Sequence, residues 1–228
     1  MQIEQFKKLL IEVNEVYNKS NLIQKELYYS LVGTKIVPNE PLIIGLNWGG
    51  GSDEDKEKVD YIPYKPQTIA CYETLLKENT HIFSTGLEIG SLSKLKQNIE
   101  DYTDIDISNS HIGWTNFCFF RTPNENFLSN EDIELTKPIF LKLINIIKPK
   151  MIICVSSKLR DFMLNSKNLN FRIIKEYKAE NNDGLNKYNG LIGDLNGCPF
   201  YSLPHPASQI EFEARKKAWN TCFGNIGI

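Results

Sequence analysis

PLIIGLN, residues 41–47, is an apolar run too short for a helix, and it breaks into Gly49, Gly50 and Gly51. Such a run reads as a strand buried on both faces that ends in an open loop. HIGWTNFCFF (111–120) and MIICVSS (151–157) have the same character. Between these runs the pattern changes period. Residues 2–18 place Ile3, Phe6, Leu9, Leu10, Val13, Val16 and Tyr17 at helical spacing, and QTIACYETLLKE predicts a helix over 67–78. Ser129 or Asn130 caps a further helix that runs through Ile139, Phe140, Leu143, Ile144 and Ile147 and stops near Pro149. KLRDFMLN follows the third strand as a short helix. GLIGDLNGCPFYSLPH (190–205) reads as a hairpin, with Asn196–Gly197 as its turn and CPFYSL as the last strand. Apolar strands alternating with amphipathic helices imply a parallel sheet covered on both faces, so the fold class is α/β.

A chain of 228 residues buries a substantial core as one α/β domain, here 1–228 with a helical segment over 1–35 packed on it. With 41% apolar and 24% charged residues the composition is that of a globular protein, and a net charge of −2 announces no global attraction to nucleic acid. No apolar run approaches the ~18 residues of a membrane span. The N-terminal stretch mixes charge into every turn and lacks a signal peptide's apolar segment. The expectation is a soluble, cytoplasmic monomer. Cysteines at 71, 118, 154, 198 and 222 form no C-x-x-C pair, so no zinc or iron–sulfur site is expected. Cys118 and Cys154 fall in apolar runs, as small core residues do.

In α/β sheets, ligands sit beyond the carboxyl ends of the strands. The segments to inspect are therefore Asn47 to Gly51, Asn116 to Thr122, Ser156 with Ser157, and Leu203 to Ser208. In the last of these a histidine lies between two prolines. A residue preceding proline is held extended, so Leu203 and His205 both stay β-like. Ser208 and Glu211 have capping-box spacing, which predicts a helix entered at Ser208. GLNWGGGSD is neither a phosphate-binding loop, since no Gly-Lys-Ser/Thr follows, nor a dinucleotide fingerprint, since Asn47 takes the place of a glycine. Asp53, Glu54 and Asp55 lack the spacing of a calcium loop. Ser156 and Ser157 sit in no G-x-S-x-G elbow, which leaves a serine hydrolase unsupported.

Taken in order, four segments resemble the uracil-DNA glycosylase superfamily, closest in pattern to its single-strand-selective monofunctional and mismatch-specific branches. Gly45-Leu46-Asn47-Trp48-Gly49 is similar to that family's Gly-x-Asn-Pro-Gly, with Trp48 in place of proline. Ile62-Pro63-Tyr64 resembles the loop that carries its base-stacking aromatic residue. Thr115-Asn116-Phe117-Cys118-Phe119 resembles the segment whose asparagine reads the base, and His205-Pro206-Ala207-Ser208 its His-Pro-Ser. The resemblance covers roughly residues 40–222. It implies a three-layer α/β/α fold on a mainly parallel four-stranded sheet, and hydrolysis of the N-glycosidic bond of uracil or a related deaminated base without metal or cofactor. The partner it implies is DNA, single-stranded or mismatched. It implies Asn47 and His205 as catalytic, Asn47 orienting water and His205 donating to the departing base. Trp48, Gly49, Gly50, Tyr64 and Asn116 would bind the base, and Ser208, Arg215, Lys216 and Lys217 would meet the phosphates. Asp53 to Asp60 sets five acids against two lysines beside that site, unfavourable to a phosphate backbone. Two other readings stay open: a catalytically inactive glycosylase-like module that binds nucleic acid or a protein, and an unrelated α/β hydrolase with a serine in line with His205.

Overall fold

The computed structural model describes residues 1–20, 29–48, 66–83, 91–122, 125–166, 169–182, 184 and 187–224. In chain order the described elements are α1 (Ile3–Lys19), β1 (Leu42–Gly45), α2 (Ile69–Lys77), α3 (Ser91–Tyr102), β2 (Gly113–Asn116), α4 (Asn130–Ile147), β3 (Ile152–Cys154), α5 (Ser157–Asn165), β4 (Phe171–Glu180), β5 (Lys187–Leu195), β6 (Cys198–Ser202) and α6 (Phe212–Phe223). The class is α/β, as the alternating pattern requires. The sheet, however, has six strands in the order β2-β1-β3-β6-β5-β4, where four were expected. The difference lies after residue 170. β4 and β5 pair antiparallel along their whole length and add the hairpin to the parallel ladder of β1, β3 and β6.

The chain forms two compact units, and the boundary inside β1 falls after Ile44. The first holds 1–38, 45–80 and 113–148. Its core is aromatic. α1 buries Phe6, Leu9, Val13 and Tyr17, with Phe6 stacked on Tyr72 of α2 at 4.0 Å between ring centroids. Phe117 meets Phe140 of α4 at 4.6 Å. Of the two cap candidates Ser129 is the N-cap of α4, and it forms a capping box there: Asp132 N–H donates to the Ser129 hydroxyl, and Ser129 N–H donates to the Asp132 carboxylate. It ends at Ile147, where Lys148 turns left-handed at φ 43° just before Pro149. Gln67 holds the 29–33 segment the way a neighbouring strand would. Its side-chain carbonyl accepts from Leu31 and Val32 N–H, and its amide donates to Val32 O.

The second unit holds 39–44, 81–112 and 149–228. β3 is buried at every position, as a central parallel strand must be. Its ladder outlasts the strands: Val155 N–H donates to Ile44 O and Leu203 N–H to Cys154 O, both at 2.9 Å. The chain leaving β6 is thus aligned for one more residue before Pro204. Asn196 and Gly197 make the β5–β6 turn with φ of 54° and 84°, the left-handed pair that an Asn-Gly hairpin supplies. Along β5, a Cβ on Gly190 would lie 2.0 Å from Cζ of Tyr177, so this glycine leaves the place where the facing ring lies. Cys118 in the first unit and Cys154 in the second are fully buried, and burial pushes each thiol up to about 12. They are core residues, as their apolar surroundings predict. Among the described residues no helix is long and apolar enough to cross a membrane.

Candidate functional site

Within the first unit, β2 and the segment after β1 run on side by side past their strand ends. Phe117 N–H donates to Gly45 O at 3.0 Å and Cys118 N–H to Leu46 O at 2.7 Å, while Thr122 N–H donates to Trp48 O at 3.2 Å. This ladder sets Asn116, the last residue of β2, beside Gly45. A Cβ on Gly45 would come within 2.4 Å of Asn116 Oδ1, so glycine there makes room for the carboxamide. Asn116 is 2% exposed, and its Nδ2 has no hydrogen-bond partner among the described residues. A buried donor left unmade costs ~1–3 kcal/mol, so such a group calls for a reason beyond packing.

Asn47 follows two residues after the end of β1 and is partly exposed. Its Nδ2 donates to the Thr122 hydroxyl at 2.6 Å and to Trp48 O at 3.1 Å. Both amide hydrogens are thereby engaged, and Oδ1 remains as the acceptor. Thr122 is fully buried, which holds the carboxamide to a rigid wall. An asparagine fixed in this way is an acceptor of set direction, suited to a water molecule or an N–H group.

Trp48 is 6% exposed. Its indole N–H donates to Ser30 O, its ring meets Trp114 at 5.1 Å, and Gly33 lies so close that a Cβ there would come within 2.8 Å of the ring. The indole is a core side chain of the first unit rather than a stacking face held out for a base. Gly49, Gly50 and Tyr64, together with the acidic run 53–60, lie outside the described residues.

In the second unit, β6 delivers the chain to Leu203, Pro204, His205 and Pro206. Leu203 and both prolines are buried while His205 between them is exposed. Ser208 N–H donates to His205 O at 2.9 Å, which closes a turn with Pro206 at its second position, where a proline's fixed φ suits it. Ala207 N–H donates to His205 Nδ1 at 3.1 Å. An Nδ1 that accepts places the proton of the neutral ring on Nε2. Backbone and ring are both held by the turn, with the proton of the neutral imidazole on Nε2.

The helix beyond does not start at Ser208. α6 begins at Phe212 with Glu211 as its cap residue, and Ser208 caps nothing. Arg215 is the physical reason. It is 7% exposed and turns back along the chain, donating to His205 O, Ser208 O, the Ser208 hydroxyl and Ile210 O at 2.9–3.4 Å. These carbonyls bind a guanidinium instead of helical N–H groups, so 205–210 remains a turn. Arg215 therefore faces inward, away from the phosphate role read from its sequence position. Lys216 and Lys217 are exposed and line a shallow groove with Glu213, Asn220 and Thr221.

Ser156 accepts from Leu159 N–H at 3.1 Å and is the N-cap of α5, a structural task that accounts for its hydroxyl. Among the described residues no group of three or more His, Cys, Asp or Glu side chains could hold a metal ion. The contributions of Thr122 and of Arg215 were not read from the sequence. Each depends on a contact between segments far apart in the chain or across a turn, and neither has a motif to mark it. No protein-family model matches the chain, and no curated protein matches it.

Proposed function

We propose that this protein is a monofunctional DNA glycosylase, removing uracil or a related deaminated base on the three-layer plan of the uracil-DNA glycosylase superfamily. The observation that carries the reading is the Asn116 carboxamide, buried with a donor that has no partner among the described residues, beside the strand that leads to the fixed acceptor of Asn47. In this reading Asn116 meets the edge of the base, its donor and acceptor matching an imide carbonyl and N–H. Asn47 accepts a hydrogen bond from water and aims its oxygen at C1′ of the sugar. Water oxygen bonds to C1′ as the C1′–N bond breaks, the electron pair leaves with the base as an anion, and the attacking water gives up one proton through solvent to that anion, leaving a C1′ hydroxyl and the free base. The role that the resemblance gives His205 is donation of Nε2–H to the base carbonyl as that charge develops. An amide is a poor base, so stabilisation of the leaving group carries most of the rate. Lys216 and Lys217, with Ser208 on the adjoining turn, are the groups offered to phosphates of single-stranded or mismatched DNA.

The direct test is base release from single-stranded and duplex oligonucleotides that carry one uracil, xanthine or hypoxanthine. Release from at least one, without added metal, is the expected result. No release from any of them overturns the reading in favour of a glycosylase-like module that binds without catalysis.

Thr122 supplies a second prediction. Thr122→Val keeps the shape and removes the acceptor for Asn47, which frees the carboxamide to rotate. Turnover is expected to fall roughly tenfold, equivalent to about 1.4 kcal/mol in the barrier, with KM little changed. Thr122→Ser restores the hydroxyl and should recover most of the loss. Equal rates for Val and Ser would show that the hydroxyl does not position Asn47.

A further inference from the structure

Arg215 carries a full positive charge at 7% exposure, and its recorded partners are three backbone carbonyls and one hydroxyl. Burial depresses its pKa from the ordinary arginine value, so the environment itself does not favour the charge. The compensation comes from carbonyls that all belong to residues 205–210. The planar fork of arginine reaches several acceptors at once, which a lysine ammonium on its flexible stem does not reproduce. His205 O is bound twice, by Ser208 N–H and by Arg215. The residue that presents the imidazole is thus clamped at its own carbonyl, while Ala207 N–H clamps the ring at Nδ1.

We propose that Arg215 is a positioning residue for His205, gathering the carbonyls of the 205–210 turn so that the imidazole is held in one orientation. The inference rests on the glycosylase reading for its consequence in turnover, but the clamp itself is testable without activity. Native-state hydrogen exchange on the wild-type protein should show the Ala207 and Ser208 amides protected far beyond what a surface turn provides. Exchange there at unprotected rates overturns the proposal, whatever the variants do. Arg215→Lys should accelerate exchange at both amides by at least tenfold, leaving the β5 and β6 amides unchanged. In the base-release assay the same variant should lose at least tenfold in kcat with KM within about twofold. Unchanged exchange at Ala207 and Ser208, or full kcat in an active enzyme, rejects the positioning role. If wild type releases no base, the glycosylase reading fails, and the exchange experiment still decides whether Arg215 orders the turn.

Discussion

His205→Ala is expected to lower base release by ~10²–10³ while leaving nucleic-acid affinity nearly unchanged. The size follows from where the donor acts. A hydrogen bond to a neutral base carbonyl in the bound substrate is modest, and it strengthens as the base becomes an anion. Removing it therefore raises the barrier more than it weakens binding. The geometry favours a large effect because the donor does not reorganise during the reaction. Pro204 and Pro206 are buried on either side, the turn is closed on His205 O, and Ala207 N–H fixes the tautomer. The substitution should leave the fold intact, since the side chain is exposed. Single-turnover release and oligonucleotide binding, measured on the same preparation, separate the two effects. An unchanged rate removes the histidine from the mechanism, and a parallel loss of affinity and rate assigns it to uniform binding.

The features legible in the sequence were those determined within a few residues. The buried parallel strands announce themselves as apolar runs, Asn196–Gly197 as a turn demanding left-handed backbone, Ser129 as one of two cap candidates ahead of a helical stripe. The stiffness of His205 could be read from its flanking prolines. β4 was not legible for a physical reason. Most of its positions face solvent, including Ile173 at 43% and Ile174 at 59% exposure, so burial never imposes a period on it. It is a strand because β5 pairs with it, and its aromatic rings lie over the glycines of β5, with Tyr177 on Gly190 and Phe171 on Gly193. α3 also passed unread, because Ser91–Tyr102 mixes polar residues into a sparse apolar stripe. At the candidate site, position along a strand was legible and the direction of a side chain was not. Asn47 and Asn116 sit where strand ends predict. Trp48 and Arg215 turn inward, because Ser30 O, the ring of Trp114 and the carbonyls of 205–210 await them there.

Asn116→Leu should raise stability and abolish base release together. Leucine branches at Cγ as asparagine does, so it occupies nearly the same outline without the buried donor. Gly45 bears no Cβ against this side chain, so no side chain at that position competes for the space the carboxamide fills. Removing a donor that has no partner among the described residues relieves its desolvation penalty, and burying methyl groups adds apolar contact; overpacking takes back part of the gain. A net gain of about 1 kcal/mol is the expectation, read as a higher urea midpoint with an unchanged slope. A structural asparagine behaves in the opposite way, since its replacement leaves other polar groups unmade. A lower midpoint would thus mean that the carboxamide serves the fold, and the case for a base-reading residue would go with it. The gain in stability is informative because it is coupled to a loss. A group that makes the empty protein less stable persists where it meets a ligand, and here an Nδ2 with no partner among the described residues lies one strand over from the acceptor that Thr122 holds in place.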